Sequence, residues 1–118
     1  MILVDSSVWI DHLKNSNKKL IELIKTKNAM SHNFVIGELA TGSIKNRKEF
    51  LADLCTLPRL ENCMDHEVWH FIEANKLYST GLGYIDVHLL SACKLHNIKL
   101  FTLDKKLHNQ AKKLKLAG

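Results

Sequence analysis

Four short apolar stretches, separated by segments of helical spacing, constrain this chain more than any other feature of its sequence. Ile2-Leu3-Val4 is the first, Ala29-Met30 and Leu60 to Met64 are weaker, and Ile98-Lys99-Leu100-Phe101 is clear. Between them run amphipathic patterns. Val8 to Lys14 follows Ser6 or Ser7 as N-cap. Lys18 to Lys25 puts Leu20, Ile21 and Ile24 on one face. Phe34 to Thr41 stops at Gly42, and Arg47 to Leu57 stops before Pro58. Asp65 caps a helix expected to run to about Ser79, Tyr84 to His96 ends at Asn97, and a last helix covers Asp104 to about Leu114. Strands that alternate with helices imply a parallel sheet covered by helices. The expectation is a three-layer α/β domain over residues 1–118, with a short, mostly parallel central sheet.

The totals agree with that class. A chain of 118 residues with 46% hydrophobic and 25% charged residues can bury a real core. No apolar run approaches the ~18–20 residues of a membrane span. The opening Met-Ile-Leu-Val-Asp has no basic segment ahead of its apolar residues, so it reads as a strand and not as a signal peptide. Three cysteines, Cys55, Cys63 and Cys93, make neither a disulfide framework nor a metal-type pair. Reduced thiols in a cytoplasmic protein are expected, two or more of them in the core.

Four of the twelve acids stand where solvated charges do not usually stand. Asp5 directly ends the first strand and Asp104 follows the last, and in open α/β sheets ligands bind beyond the carboxyl ends of strands. Either residue also suits a helix cap. Glu38 sits in the apolar run Phe34-Val35-Ile36-Gly37-Glu38-Leu39-Ala40, where a buried carboxylate needs a partner unless that helix is two-faced. Asp86 lies in the first turn of a helix that is apolar on nearly every side. The helix dipole favours it there by only ~0.3–1 kcal/mol, too little for a dry core, so either a cation accompanies it or it caps the helix at the surface. Carboxylates gathered at one sheet edge repel unless something neutralises them. An all-oxygen set suits Mg²⁺ or Mn²⁺, and Mg²⁺ suits phosphodiester hydrolysis.

These residues, in this order, resemble the PIN domain family, and within it the VapC-type toxins of bacterial and archaeal toxin–antitoxin pairs. The resemblance rests on Ile2-Leu3-Val4-Asp5-Ser6-Ser7-Val8-Trp9-Ile10, Val35-Ile36-Gly37-Glu38-Leu39, Gly83 to Ala92, and Leu100-Phe101-Thr102-Leu103-Asp104. It implies a Mg²⁺-dependent endoribonuclease, with Mn²⁺ as a substitute. Asp5, Glu38, Asp86 and Asp104 would be its catalytic and metal-holding acids, and Ser6 and Thr102 would line the site. It also implies a tRNA or ribosomal RNA substrate, a homodimer, and a cognate antitoxin that blocks the site. Many relatives carry a further acid two residues past the position of Asp104; here that residue is Lys106.

The formal charge is +5, and seven lysines against the single acid Asp104 fall from Lys94 onward. Lys105, Lys106, Lys112 and Lys113 are candidates to hold RNA phosphates, although a solvated helix face reads the same way. The apolar segments Val8 to Leu13 and Leu20 to Ile24 suit either a partner groove or the core. His66-Glu67-Val68-Trp69-His70 matches the zinc protease pattern H-E-x-x-H. A third ligand is missing, since Glu73 and Lys76 occupy the positions an extended motif needs and no Glu follows Glu73. A zinc protease is therefore disfavoured. The remaining alternatives are a PIN-type nuclease of RNA maturation and a non-catalytic RNA- or partner-binding module.

Overall fold

The computed structural model describes all 118 residues. The chain runs β1 (Ile2–Val4), α1 (Ser6–Asn15), α2 (Lys18–Lys25), β2 (Ala29–His32), α3 (Asn33–Ala40), α4 (Arg47–Leu54), β3 (Arg59–Leu60), α5 (Asp65–Asn75), α6 (Tyr84–His96), β4 (Lys99–Phe101) and α7 (Lys105–Lys113). The four strands form one sheet in the order β3-β2-β1-β4, and every pairing is parallel. The expected three-layer α/β architecture is therefore present.

Chain order reverses on the two sides of β1. The connections from β1 to β2 and from β2 to β3 step outward in one direction, so right-handed crossovers place α1 to α4 on one face. The connection from β3 returns across the sheet to β4 and places α5 and α6 on the other. Helix α6 spans that return and packs on both β3 and β4. Its residues Val87 to Cys93 are all buried, which is why its sequence is apolar all round. The core cluster of 24 buried residues draws on every layer. Residues 116–118 cover the outer edge of β4: the Leu100 amide donates to the Leu116 carbonyl at 2.7 Å and the Gly118 amide to the Leu100 carbonyl at 2.8 Å.

Several boundaries differ from expectation, each for a local reason. Helix α1 begins at Ser6 and its N-cap is Asp5, because Ser7 uses its hydroxyl elsewhere. Helix α5 ends at Asn75, not Ser79. Lys76 turns left-handed (φ +52°) and the Leu77 amide donates back to the Ile72 carbonyl at 3.0 Å, the closure that ends many helices. Leu77 is then buried beneath it. Asp65 is the first residue of α5 and not its cap. Helix α4 stops at Leu54, strand β2 extends through His32, and β3 shrinks to Arg59–Leu60. Helix α2 and helix α6 have the expected limits. Cys63 and Cys93 are buried, Cys55 is exposed, and all three thiols are free. No helix is long and apolar enough to cross a membrane.

Candidate active site

The point where strand order reverses lies between β1 and β4, the place beyond the carboxyl ends of the strands where open α/β sheets bind ligands. Val4 pairs with Phe101, so Asp5 and Thr102 leave the ladder side by side. Asp5 is buried, and two hydroxyls replace the water it gives up. Thr102 Oγ1 and Ser7 Oγ each donate to Asp5 Oδ2 at 2.7 Å. A hydroxyl has one proton, so both protons are committed to Asp5, and their lone pairs remain to accept. Ser7 Oγ accepts from the Leu103 amide at 3.0 Å, and Thr102 Oγ1 accepts from the Asp104 amide at 3.1 Å. This closed set fixes the end of β1 to the β4–α7 turn. It leaves Asp5 Oδ1 without a protein donor.

Three further acids surround it. Glu38 extends from α3 and accepts from Ser6 Oγ at 3.4 Å. Burial of its carboxyl end raises its pKa first, and the charges of Asp5 and Asp86 raise it further. As a residue Glu38 is exposed, while Val35 and Leu39 of the same helix are buried. The helix is thus two-faced, and the alternative of a carboxylate sunk in an apolar helix is set aside. Asp86, half-buried in the first turn of α6, is likewise raised by burial. The Gly83 amide, which donates to its Oδ2 at 3.1 Å, opposes that rise, while the charges of Asp5 and Asp104 add to it. Asp104 is exposed and caps α7 through Oδ1, which accepts from the Leu107 amide at 3.0 Å.

The structure therefore brings the four candidate acids within each other's fields, with Ser6 and Thr102 beside them. Ser7 is a member that sequence reasoning treated only as a helix cap. Its signal was legible, because a hydroxyl two residues past an acid is well placed to bond it. Lys105 and Lys106 occupy the first turn of α7, next to Asp104. Lys112 and Lys113 lie in the last turn, roughly 12 Å farther along the axis at 1.5 Å per residue, so they do not border the carboxylates. No group of three or more His, Cys, Asp or Glu side chains stands ready as a closed metal cage. The donors still suit Mg²⁺, which keeps several waters and needs only one or two carboxylates. Glu38 and Asp86 have pKa values raised first by burial and further by neighbouring carboxylates, and a cation offsets both.

A groove of about 380 Å³ opens beside Glu38, lined by Ile10, Leu13, Leu39 and Ile44 with Lys14 and Lys45 at its margin. Ile10 and Leu13 are about half exposed, whereas Val8, Trp9 and Leu20 are buried. The apolar residues of α1 thus divide between core and surface.

On α5, His66 and His70 are exposed, and Glu67 Oε1 accepts from the Met64 amide at 2.8 Å. The glutamate of the H-E-x-x-H pattern caps its own helix.

The PIN domain family model matches residues 2–113. The chain is 41% identical over 108 residues to ribonuclease VapC32 of Mycobacterium tuberculosis, covering 91% of this chain and 87% of that protein. Two solved structures share the fold at low identity. The crystal structure of PAE2754 from Pyrobaculum aerophilum has a TM-score of 0.72 at 18% identity, over 99% of this chain and 87% of that one. The structure of FitAB bound to an IR36 DNA fragment has a TM-score of 0.66 at 13% identity, over 95% of this chain and 91% of that one.

Proposed function

This chain belongs to the PIN domain family, and from that premise we propose that it is a Mg²⁺-dependent endoribonuclease, the toxin of a toxin–antitoxin pair. The observation that carries the reading is the buried Asp5 at the β1–β4 switch, one oxygen clamped by two hydroxyls, with its charge felt at Glu38 and Asp86. The likeness to a VapC ribonuclease supports RNA as substrate and an antitoxin as partner. The finer assignments of tRNA or ribosomal RNA as target, of a homodimer and of a cytoplasmic setting rest on the resemblance.

In this reading Asp5 and Asp86 hold Mg²⁺, and Glu38 and Asp104 complete its surroundings or orient water. Bound there, the ion supplies charge compensation to the oxygens on phosphorus and lowers the pKa of a coordinated water. Glu38 takes the proton from the attacking water, a role that a raised carboxyl pKa suits. The water oxygen bonds to phosphorus as the bond to the departing ribose oxygen breaks, and that oxygen takes a proton from solvent to leave as a hydroxyl. Ser7 and Thr102 keep Asp5 in one orientation throughout. Lys105 and Lys106 face the backbone of the RNA. The groove along Ile10, Leu13 and Ile44 receives an apolar segment of the antitoxin beside Glu38.

The test is cleavage of a total RNA pool by purified, antitoxin-free protein with Mg²⁺. Discrete fragments are expected, lost with EDTA and reduced roughly 10²–10³-fold in Asp5→Asn, the scale of removing one group that stabilises transition-state charge. A folded protein that binds RNA without cutting it would move the chain to the non-catalytic reading. Cleavage that survives both EDTA and Asp5→Asn would reject this centre.

A further inference from the structure

The loop before α6 holds two glycines with different tasks. Gly83 gives its amide to Asp86. Gly81 adopts φ +84°, and an added Cβ there would stand 3.0 Å from Lys106 Cδ, 3.1 Å from Nζ and 3.3 Å from Cε. The outer half of Lys106 therefore lies along bare backbone, in a space that any side chain at position 81 would fill. From the other end, Lys106 is fixed by the Asp104 cap and by the fully buried Leu107 that follows it. Its ammonium has no carboxylate within ion-pair distance, since the sole pair that close is His88 with Asp65. The Gly81 and Gly83 Cα atoms can be no more than about 7 Å apart, given the reach of the chain. The Lys106 side chain at Gly81 and the Asp86 carboxylate at Gly83 therefore lie against the same short loop.

We propose that Lys106, seated on Gly81, is a fixed phosphate contact for the RNA strand entering the acid centre, and that Gly81 is the positioning residue that holds it there. This rests on the ribonuclease reading and deepens it. The basic end of the chain is then not a uniform patch. A lysine held along backbone loses less rotamer freedom on binding than one of the free lysines of the last turn. An ammonium on the loop that also holds Asp86 is placed to meet a phosphate oxygen of a strand that reaches the carboxylates.

The experiment uses the full-length Asp5→Asn protein, its cleavage expected to fall roughly 10²–10³-fold and its folding followed by thermal melting, and a labelled single-stranded RNA of mixed sequence. Affinity is followed from ~50 to ~200 mM KCl. Each phosphate contact contributes about 0.7 to the log–log salt slope for single strands. Adding Lys106→Ala is expected to weaken binding several-fold and to lower the slope by about 0.7, with Lys106→Arg retaining most of both. Gly81→Ala is expected to move affinity and slope in the same direction, its folding followed by thermal melting. Lys112→Ala is expected to change affinity less than Lys106→Ala. Equal effects of Lys106→Ala and Lys112→Ala would overturn the seated contact in favour of a diffuse charge, and so would no effect of Lys106→Ala. Absence of RNA binding by every form would overturn the ribonuclease reading and this inference with it.

Discussion

Two regions of this chain gather residue types that hold metals, and they are built in opposite ways. On α5, His66, Glu67 and His70 are adjacent in sequence, yet the histidines face solvent and the glutamate is occupied by the Met64 amide. At the seam of β1 and β4, Asp5 and Thr102 are 97 positions apart and meet at 2.7 Å in a buried setting. Nearness in sequence gave α5 a motif without a site. Distance in sequence gave the seam a cluster of carboxylates without a compact motif. The difference follows from the sheet: parallel pairing of β1 with β4 delivers both carboxyl ends to one edge, whereas a single helix on the surface delivers its side chains to water.

The largest stability effect is expected where the seam is cut. Thr102→Val keeps the shape but removes one of two donors to Asp5 Oδ2 and the acceptor for the Asp104 amide. Losing a hydrogen bond to a buried charged group is worth ~1.5–3 kcal/mol, of the order of 5–10 °C in Tm for a chain of this size. Cleavage should fall as well, since Asp5 loses its orientation. A Tm loss equivalent to less than ~0.5 kcal/mol would show that the hydroxyls do not hold Asp5.

The open side of the centre should respond with the opposite sign. Glu38 has a raised pKa, caused first by burial and then by Asp5 and Asp86. Between its ordinary and raised values the folded chain binds more protons than the unfolded chain, so metal-free stability falls as pH rises through that window. Glu38→Gln removes this contribution. Above the window the metal-free variant is expected to gain a few tenths of a kcal/mol, small because the residue is exposed and screened. Below it the two proteins should converge, and the variant should cleave no RNA. Calorimetry against pH without metal would show the convergence, and a loss of stability in Glu38→Gln at neutral pH would mean that burial and the neighbouring charges do not penalise the ionised Glu38.

The smallest effect is expected on α5. His66→Ala should leave stability within about ±0.5 kcal/mol, as for other surface substitutions, and leave cleavage unchanged. Zinc bound at one per chain and lost in this variant would instead restore the helix as a metal site.

Much of this was legible in order and spacing. The limits of α2 and α6 follow from apolar periodicity and from Asn97, whose left-handed turn (φ +54°) a short polar side chain tolerates. The positions of Asp5 and Asp104 past their strands follow from where the apolar runs end. The end of α5 was not legible, because burial of Leu77 draws the chain into a turn that local propensity does not require.

By itself the sequence determined the alternation of strands and helices, and thereby a parallel sheet with acids at its carboxyl edge. Only the tertiary structure decided which of those acids is enclosed and which is open. Asp5, Ser7 and Thr102 become partners through the pairing of Val4 with Phe101, and Lys106 finds its seat because Gly81 leaves the space. Periodicity is set by neighbours along the chain. The burial of a charge and the compensation it needs are set by groups that only the closed fold brings within hydrogen-bonding distance.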